Sequence, residues 1–240
     1  KHGDPIVNVG HTGLYHYARI LQRQAPSPEY PVPVVCLTDR DIVPDVANTY
    51  VEKPKKGKRF DSDYDAKGIA DLVQRKKNRA QGGKTIVCVS DRWTLEYDLA
   101  LSGLAEVMFI AISLAEIADT KGEKLSDSDE KLAKAAAEAS WKTLQTAKHT
   151  AEKLASVIYQ PLYEKRASKA IAAQYAAQLL ASGDYGKGDA LFKNLPQYLQ
   201  DALAHLTTPP AATGSPLLAS VPPTVPVSQA KTESGVGFPA

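Results

Sequence analysis

Val34-Val-Cys-Leu-Thr-Asp39-Arg-Asp41-Ile-Val-Pro-Asp45 is the stretch from which the expected architecture follows. Its apolar first half, rich in β-branched residues, is typical of a buried strand in a parallel sheet. Three carboxylates follow it directly, at Asp39, Asp41 and Asp45. Ligands collect at the carboxyl ends of strands in open α/β sheets, so this end of the strand is a candidate site.

The spacing of these acids suggests a metal site. If the strand geometry persists, Asp39 and Asp41 share one face, and two adjacent carboxylates repel each other unless a cation lies between them. Pro44 should end the strand and begin a turn that returns Asp45 towards the same point. A second interpretation stays open, because acidic residues after strands also serve in turns and as helix caps.

A second segment repeats the pattern. Thr85-Ile-Val-Cys-Val-Ser90 is another buried-strand sequence, and the polar run Asp91-Arg-Trp-Thr94-Leu-Glu96-Tyr-Asp98 follows it. Two neighbouring parallel strands that both deliver acids at one edge would form a carboxylate cluster. The sequence therefore predicts an α/β fold, with a parallel sheet flanked by helices and an appended helical region.

Composition narrows the functional classes only slightly. The chain has 240 residues, 43% of them hydrophobic, and a net charge of +2, which is too small to indicate a nucleic-acid binder. Cys36 and Cys88 lie within the predicted strands, as expected of small buried hydrophobes in a reducing compartment. No apolar run has the length of a membrane span, so we expect a cytoplasmic protein with no membrane partner.

Helical periodicity and composition divide the rest of the chain. We expect a strand at 5–10, an α/β core over residues 1–120, a helical region over 121–206 and a disordered tail over 207–240. The predicted helices cover about 11–23, 64–81, 95–117, 128–159 (ended by Pro161), 168–180 (capped by Ser168, ended by Gly183) and 196–206. The Ala/Leu stripes of the helical region fit either plain core or a homodimer interface.

A basic cluster lies between the two predicted strands. Five positive charges occur within seven residues, at Lys53, Lys55, Lys56, Lys58 and Arg59. Like charges in a Gly/Pro loop repel one another, which favours a nearby polyanion, although a solvated loop is also possible. Beside a candidate metal site, such a cluster favours a phosphodiester substrate, namely DNA.

The same residues carry a resemblance to a known family. Asp39-Arg-Asp41 after a strand resembles the Asp-x-Asp motif of Toprim domains. Four ordered motifs are similar to the C-terminal Toprim nuclease region of overcoming-lysogenization-defect (OLD) ATP-dependent endonucleases, class 2-like, over about residues 5–206. They are Val7-Asn-Val-Gly-His-Thr-Gly-Leu-Tyr-His-Tyr-Ala-Arg-Ile20, Leu37-Thr-Asp-Arg-Asp41, Trp93-Thr-Leu-Glu-Tyr-Asp-Leu99 and Lys169-Ala-Ile-Ala-Ala-Gln-Tyr-Ala176.

The resemblance implies a DNA endonuclease that uses two divalent ions, Mg²⁺ or Mn²⁺. It assigns Asp39 and Asp41 as metal ligands, with Asp45 as a nearby third, and it adds Thr94 and Glu96 as the second acidic motif. It also implies that Lys169 stabilises charge on the phosphate, with Lys165 and Arg166 as competing candidates. Independently of the family, two ions about 3.5–4 Å apart would clamp the attacking and leaving oxygens of a phosphodiester.

The chain departs from the family at its start. Toprim domains begin with a strand and a glutamate-bearing helix, and the chain begins just downstream of that position. We therefore expect upstream glutamates, and an ABC-type ATPase domain as partner, in a longer protein. Two alternatives remain: a topoisomerase or primase of the same fold, although none of the 11 tyrosines has a distinctive context, and a non-catalytic module that binds DNA or a protein.

Overall fold

The fold is α/β, with helices on both faces of a small parallel sheet. The computed structural model describes residues 6–7, 13–22 and 32–207. Within them, strand β1 (Val34–Thr38) pairs in parallel with β2 (Thr85–Val89), with Val34 opposite Thr85. Both strands predicted over these residues are confirmed. The predicted strand at 5–10, apart from residues 6–7, and the predicted tail beyond 207 lie outside the described residues.

Side-chain alternation explains why both strands are apolar. Cys36, Val87 and Val89 pack with residues of helices α1 (Gly13–Leu21) and α2 (Ala66–Asn78). Cys88 packs on the other face, against Tyr198 and Ala202 of the last helix, Gln197–Thr207. A sheet covered on both faces requires apolar residues at successive positions, as the sequence has here.

The other helices enclose a larger hydrophobic core. This core includes Val43, Phe60, Trp93, Ile110 and Leu179, so it spans both the predicted core and the predicted helical region. These helices are α3 (Leu95–Leu101), α4 (Ala105–Lys121), α5 (Asp127–Thr146), α6 (Ala151–Tyr163), α7 (Lys169–Ser182) and α8 (Asp189–Lys193), whereas the last helix, α9 (Gln197–Thr207), covers the sheet. Among the described residues, no helix is long and apolar enough to cross a membrane.

The prediction of one long helix over 128–159 is wrong. The chain turns between α5 and α6, where Lys148 has φ +48° and the Thr150 side chain caps α6 by accepting a hydrogen bond from the Lys153 N–H. The prediction that Pro161 ends this helix is also wrong, because α6 continues to Tyr163. A proline removes only one backbone donor, and here it does so in the last turn of the helix.

The insertion that carries the basic cluster is anchored at its end. Phe60 is completely buried, and its backbone forms a parallel bridge with Val43. Short 3₁₀ helices lie on either side, at Asp45–Ala47 and Asp61–Asp63. The bridge therefore holds the end of the basic segment beside Val43, in the segment that follows β1.

Candidate functional site

The segments that follow β1 and β2 are joined by hydrogen bonds. The Ser90 N–H donates to the Thr38 carbonyl at 2.9 Å, and the Ser90 hydroxyl accepts from the Arg40 N–H at 2.7 Å. The Trp93 carbonyl then accepts from the backbone N–H groups of both Arg40 and Asp41. Because of these bonds, the residues after β1 lie directly beside the start of α3, as the parallel pairing predicts.

Asp39 lies at the centre of this junction. Its Oδ1 accepts a 3.0 Å hydrogen bond from the N–H of Leu95, the first residue of α3. Burial raises the pKa of Asp39 above its ordinary value; the Leu95 hydrogen bond and Lys169 oppose the rise, and Glu96 and Asp41 add to it. Asp39 thus interacts electrostatically with the predicted ligands Glu96 and Asp41 and with Lys169.

Glu96 and Lys169 form an ion pair between distant parts of the chain. Lys169 Nζ lies 3.0 Å from Glu96 Oε2, and it also lies 5.6 Å from the centre of the Tyr159 ring. Burial lowers the pKa of Lys169, but Glu96 and Tyr159 outweigh it, so the pKa is raised overall. The ammonium therefore stays charged beside the acids.

The competing cations make different contacts. Arg166 pairs with Glu116 and with Glu164, neither of which belongs to the predicted site. Lys165 is exposed and has φ +59° in the turn between α6 and α7. Of the three candidates, Lys169 alone forms an ion pair with a predicted metal ligand.

Asp41 does not share a strand face with Asp39, so that expectation is wrong. Strand geometry ends at Thr38, and Asp41 has φ +65°, in the left-handed region that aspartate tolerates better than most residues. Its carboxylate pairs with Lys76 of α2, whose ammonium also donates to the Asp39 carbonyl. The Asp41 side chain is 71% exposed, so most of it remains accessible.

Asp45 and Thr94 are engaged elsewhere. Pro44 does begin a turn, but Asp45 Oδ1 accepts from the Ser62 hydroxyl at 2.7 Å, because the Val43–Phe60 bridge aligns the two segments. The Thr94 hydroxyl accepts from the Tyr97 N–H at 3.3 Å and so caps α3. The structure thus brings Asp39, Glu96 and Lys169 together, whereas Asp45 contacts Ser62 instead.

The described residues contain no preformed group of three His, Cys, Asp or Glu side chains that could hold a metal ion. The three acids that interact electrostatically here, Asp39, Asp41 and Glu96, supply only carboxylate oxygens. Oxygen is the ligand type that suits Mg²⁺ and Mn²⁺. Asp39 Oδ1 makes one hydrogen bond, to Leu95, which leaves acceptor capacity on this carboxylate.

Asp98 is a structural acid of the site that the sequence did not single out. It is 3% exposed and accepts hydrogen bonds from three backbone N–H groups: Asp91 at 2.6 Å, Arg92 at 3.1 Å and Trp93 at 3.3 Å. Burial raises its pKa to about 6, against the effect of these bonds. Asp98 holds the segment between β2 and α3 in shape. An acid in the first turn of a predicted helix was the signal for it.

The side chain of Arg40, which lies between the two acids of the Asp-x-Asp motif, is buried. Its side chain is 7% exposed and pairs with Asp61 at 3.1 Å. Burial lowers its pKa, and Asp61 opposes this. Arg40 therefore ties the segment after β1 to the 3₁₀ turn at Asp61–Asp63.

Three residues of the basic segment, residues 53–59, contact aromatic side chains. Arg59 donates to the Tyr163 hydroxyl at 3.2 Å, which ties the segment to the end of α6. Lys53 and Lys58 lie over the rings of Phe60 and Tyr64, at 5.5 and 5.1 Å from the ring centres. Lys55 and Lys56 are exposed and form no ion pair within the described ranges.

Comparison of the chain with family models, with curated proteins and with solved structures finds no match.

Proposed function

We propose that this protein is a metal-dependent DNA endonuclease with a Toprim-type domain, the nuclease part of an OLD-like protein that also carries an ABC-type ATPase domain. The observation that carries the proposal is the Glu96–Lys169 ion pair at 3.0 Å, beside Asp39. The pair joins Glu96, which follows β2, to Lys169 at the start of α7, two residues that the family resemblance assigns to one site.

Asp39, Asp41 and Glu96 are the side chains that would hold the ions, with Asp45 and Thr94 as the further ligands of the family pattern. When bound, two Mg²⁺ or Mn²⁺ ions supply activation of water and neutralisation of the leaving oxygen. The fit rests on an all-oxygen donor set. Burial is the main cause of the raised pKa of Asp39, and Glu96 and Asp41 add to it, so a nearby cation would favour the ionised carboxylate.

The chain's own cations would act on the DNA. Lys169 keeps its proton beside Glu96 and would stabilise negative charge that develops on the phosphate. Lys55 and Lys56, which are exposed, would bind the phosphate backbone further along the strand. Phosphate contacts of this kind fix the register of DNA and carry no base preference.

Plasmid nicking tests the proposal. The protein is incubated with supercoiled plasmid in Mg²⁺ or Mn²⁺, and we expect open-circular product that is lost in a chelator and in Glu96→Gln. Glu123→Gln, which changes an exposed acid in the loop before α5, is the matched control and should nick as the wild type does. Equal nicking by Glu96→Gln would contradict the proposal.

A non-catalytic module that binds DNA or a protein is the second candidate. The observation that favours it is that two predicted ligands already have a lysine partner, Asp41 with Lys76 and Glu96 with Lys169. Such pairs can be purely structural. If the protein is such a module, we expect no nicking, and any DNA binding should not depend on metal. If it is a nuclease, calorimetry should detect Mn²⁺ binding that weakens in Glu96→Gln.

A further inference from the structure

A cavity of about 670 Å³ opens next to Lys169, between the ends of α4, α6 and α7. Its size is in the range of pockets that hold small organic molecules and exceeds what one phosphate needs. The lining residues are Asp119, Tyr159, Leu162, Tyr163, Lys165, Ala167, Ser168 and Lys169. Aromatic and apolar side chains thus line it together with two lysines.

The orientation of the Tyr163 ring is fixed. The ring is half-buried, packs edge-on against Tyr50 with 5.4 Å between ring centres, and lies 5.9 Å from the Trp93 ring. Its hydroxyl accepts from the Arg59 guanidinium. Because three neighbours hold the ring in place, its accessible part is preorganised for contact with a planar ligand. Less side-chain entropy is therefore lost when such a ligand binds.

The charges around the cavity select an anion. Lys165 is exposed and has no ion-pair partner among the described residues, and Lys169 shares its charge with Glu96. The only acid of the lining, Asp119, accepts a hydrogen bond from the Ser168 N–H at the start of α7, which directs that carboxylate to the backbone. An aromatic surface beside cations is the combination that binds single-stranded nucleic acid, through base stacking and phosphate contacts.

We propose that this cavity binds an unpaired nucleotide of the DNA strand, with the base against Tyr163 and the adjoining phosphates at Lys165 and Lys169. The inference rests on the proposed function, because it takes DNA as the occupant. It adds that the enzyme engages a strand whose base has left the duplex. A base in a fully paired duplex is stacked on its neighbours and is not available to a concave pocket.

Fluorescence anisotropy in a chelator tests this inference separately from cleavage. The probe is a labelled oligodeoxythymidylate of about 12 nucleotides, a length within the range that one binding groove covers. A blunt duplex of equal length is the comparison. We expect the single strand to bind the wild type about tenfold more tightly than the duplex.

Three variants locate the binding. Tyr163→Leu should weaken binding of the single strand about tenfold, as expected for loss of one stacked base, whereas Tyr163→Phe should stay within about twofold of the wild type. Lys165→Ala, an exposed change that leaves the core intact, should weaken binding and reduce the steepness of its salt dependence by about one ion. Lys142→Ala is the control, because Lys142 is exposed on α5 and does not line the cavity.

The outcomes separate this inference from the proposed function. Single-strand binding that Tyr163→Leu and Lys165→Ala both weaken supports the cavity, even if no metal-dependent nicking is found. The inference about the cavity would be wrong if the wild type bound duplex and single strand equally, or if the variants bound as the wild type does. Nicking by that wild type would still support the proposed nuclease. Absence of any binding to the single strand would overturn the inference about the cavity as well.

Discussion

Asp39 Oδ1 accepts a hydrogen bond of 3.0 Å from the N–H of Leu95, so this predicted metal ligand, together with Thr94, caps the helix that carries Glu96. A carboxylate near a helix N-terminus stabilises the helix through the hydrogen bond and through the dipole. The two roles differ in what they require. A cap needs an acceptor atom, whereas a metal ligand of this kind needs the negative charge as well.

Replacement of Asp39 separates these roles. Asp39→Asn keeps an acceptor for the Leu95 N–H, so we expect its free energy of unfolding to stay close to that of the wild type. Asp39→Ala removes the cap and should lose about 1 kcal/mol. Both variants should lose metal-dependent nicking, as measured on supercoiled plasmid alongside thermal melts. An Asp39→Asn protein that nicks at the wild-type rate would leave Asp39 with the capping role alone.

Lys169 should be the cation that matters for cleavage. Removal of a single group that stabilises transition-state charge typically costs about 10²–10³ in rate. We therefore expect Lys169→Gln to reduce the single-turnover nicking rate by about that factor. Arg166→Gln, which breaks the pairs with Glu116 and Glu164, should change the rate by less than about threefold. A larger loss for Arg166→Gln than for Lys169→Gln would reverse the assignment.

Asp98 should make stability depend on pH in the mildly acidic range. Burial raises its pKa to about 6 in the folded protein, above the ordinary value near 3.9, so the folded state holds a proton that the unfolded chain has released. The free energy of unfolding should therefore fall as the pH rises from about 4 to about 6, by on the order of 3 kcal/mol, and stay lower above that range.

The control for this prediction is Asp98→Asn, which does not titrate and keeps one acceptor oxygen, enough for the hydrogen bonds from Asp91 and Arg92. Urea unfolding of both proteins across this pH range gives the difference in slope, and contributions from the other acids cancel in it. Asp39 and Asp61 also have raised pKa values and affect both proteins alike, whereas Asp91 interacts with Asp98 and is part of the difference that is measured. Parallel curves for the two proteins would show that the three backbone hydrogen bonds to Asp98 compensate fully for its burial.

Local patterns were enough to predict β1, β2 and the helices α1, α2, α7 and α9, whereas the predicted helices 95–117 and 128–159 are each divided in two. Both strands are continuous apolar runs between polar segments. Helix α7 lies between Ser168 and Gly183 as predicted, although the Ser168 side chain makes no capping hydrogen bond. The break between α5 and α6 was missed because Ala147, Lys148 and His149 fit a helical pattern, and a left-handed residue there depends on how the helices pack. The short helix α8 follows two glycines with positive φ, Gly186 and Gly188, and the sequence analysis did not predict it.

The site could be predicted as a set of residues but not as a geometry. The proximity of Asp39 to Glu96 follows from parallel pairing, which the sequence indicates. The lysine partners do not follow from it. Lys76 reaches Asp41 because α2 packs on the sheet, and Lys169 reaches Glu96 because α7 packs against α4. Tertiary packing of this kind leaves no local signal in the sequence.

The Asp41–Lys76 pair should compete with a metal ion. An ammonium beside a carboxylate occupies the position that a divalent cation would take, and it repels that cation. We therefore expect Lys76→Met, which keeps the length of the side chain, to strengthen Mn²⁺ binding severalfold in calorimetry. Lys67→Met, on the first turn of the same helix, is the control and should leave the affinity unchanged. Weaker Mn²⁺ binding in Lys76→Met would remove Asp41 from the proposed ligands.

The basic segment should contribute affinity for DNA without base preference. Lys55 and Lys56 are exposed and have no acidic partner among the described residues, so a phosphate can take that place at little cost. Each phosphate contact releases close to one counterion from duplex DNA. The double variant Lys55→Ala/Lys56→Ala should therefore reduce the slope of log affinity against log salt by about 2, equally for duplexes of different sequence. Lys131→Ala/Lys142→Ala, which removes two exposed lysines of α5, keeps the net charge matched. If the two double variants had equal slopes, the basic segment would be a solvated loop, and the DNA path would have to run over the Lys165–Lys169 side of the site alone.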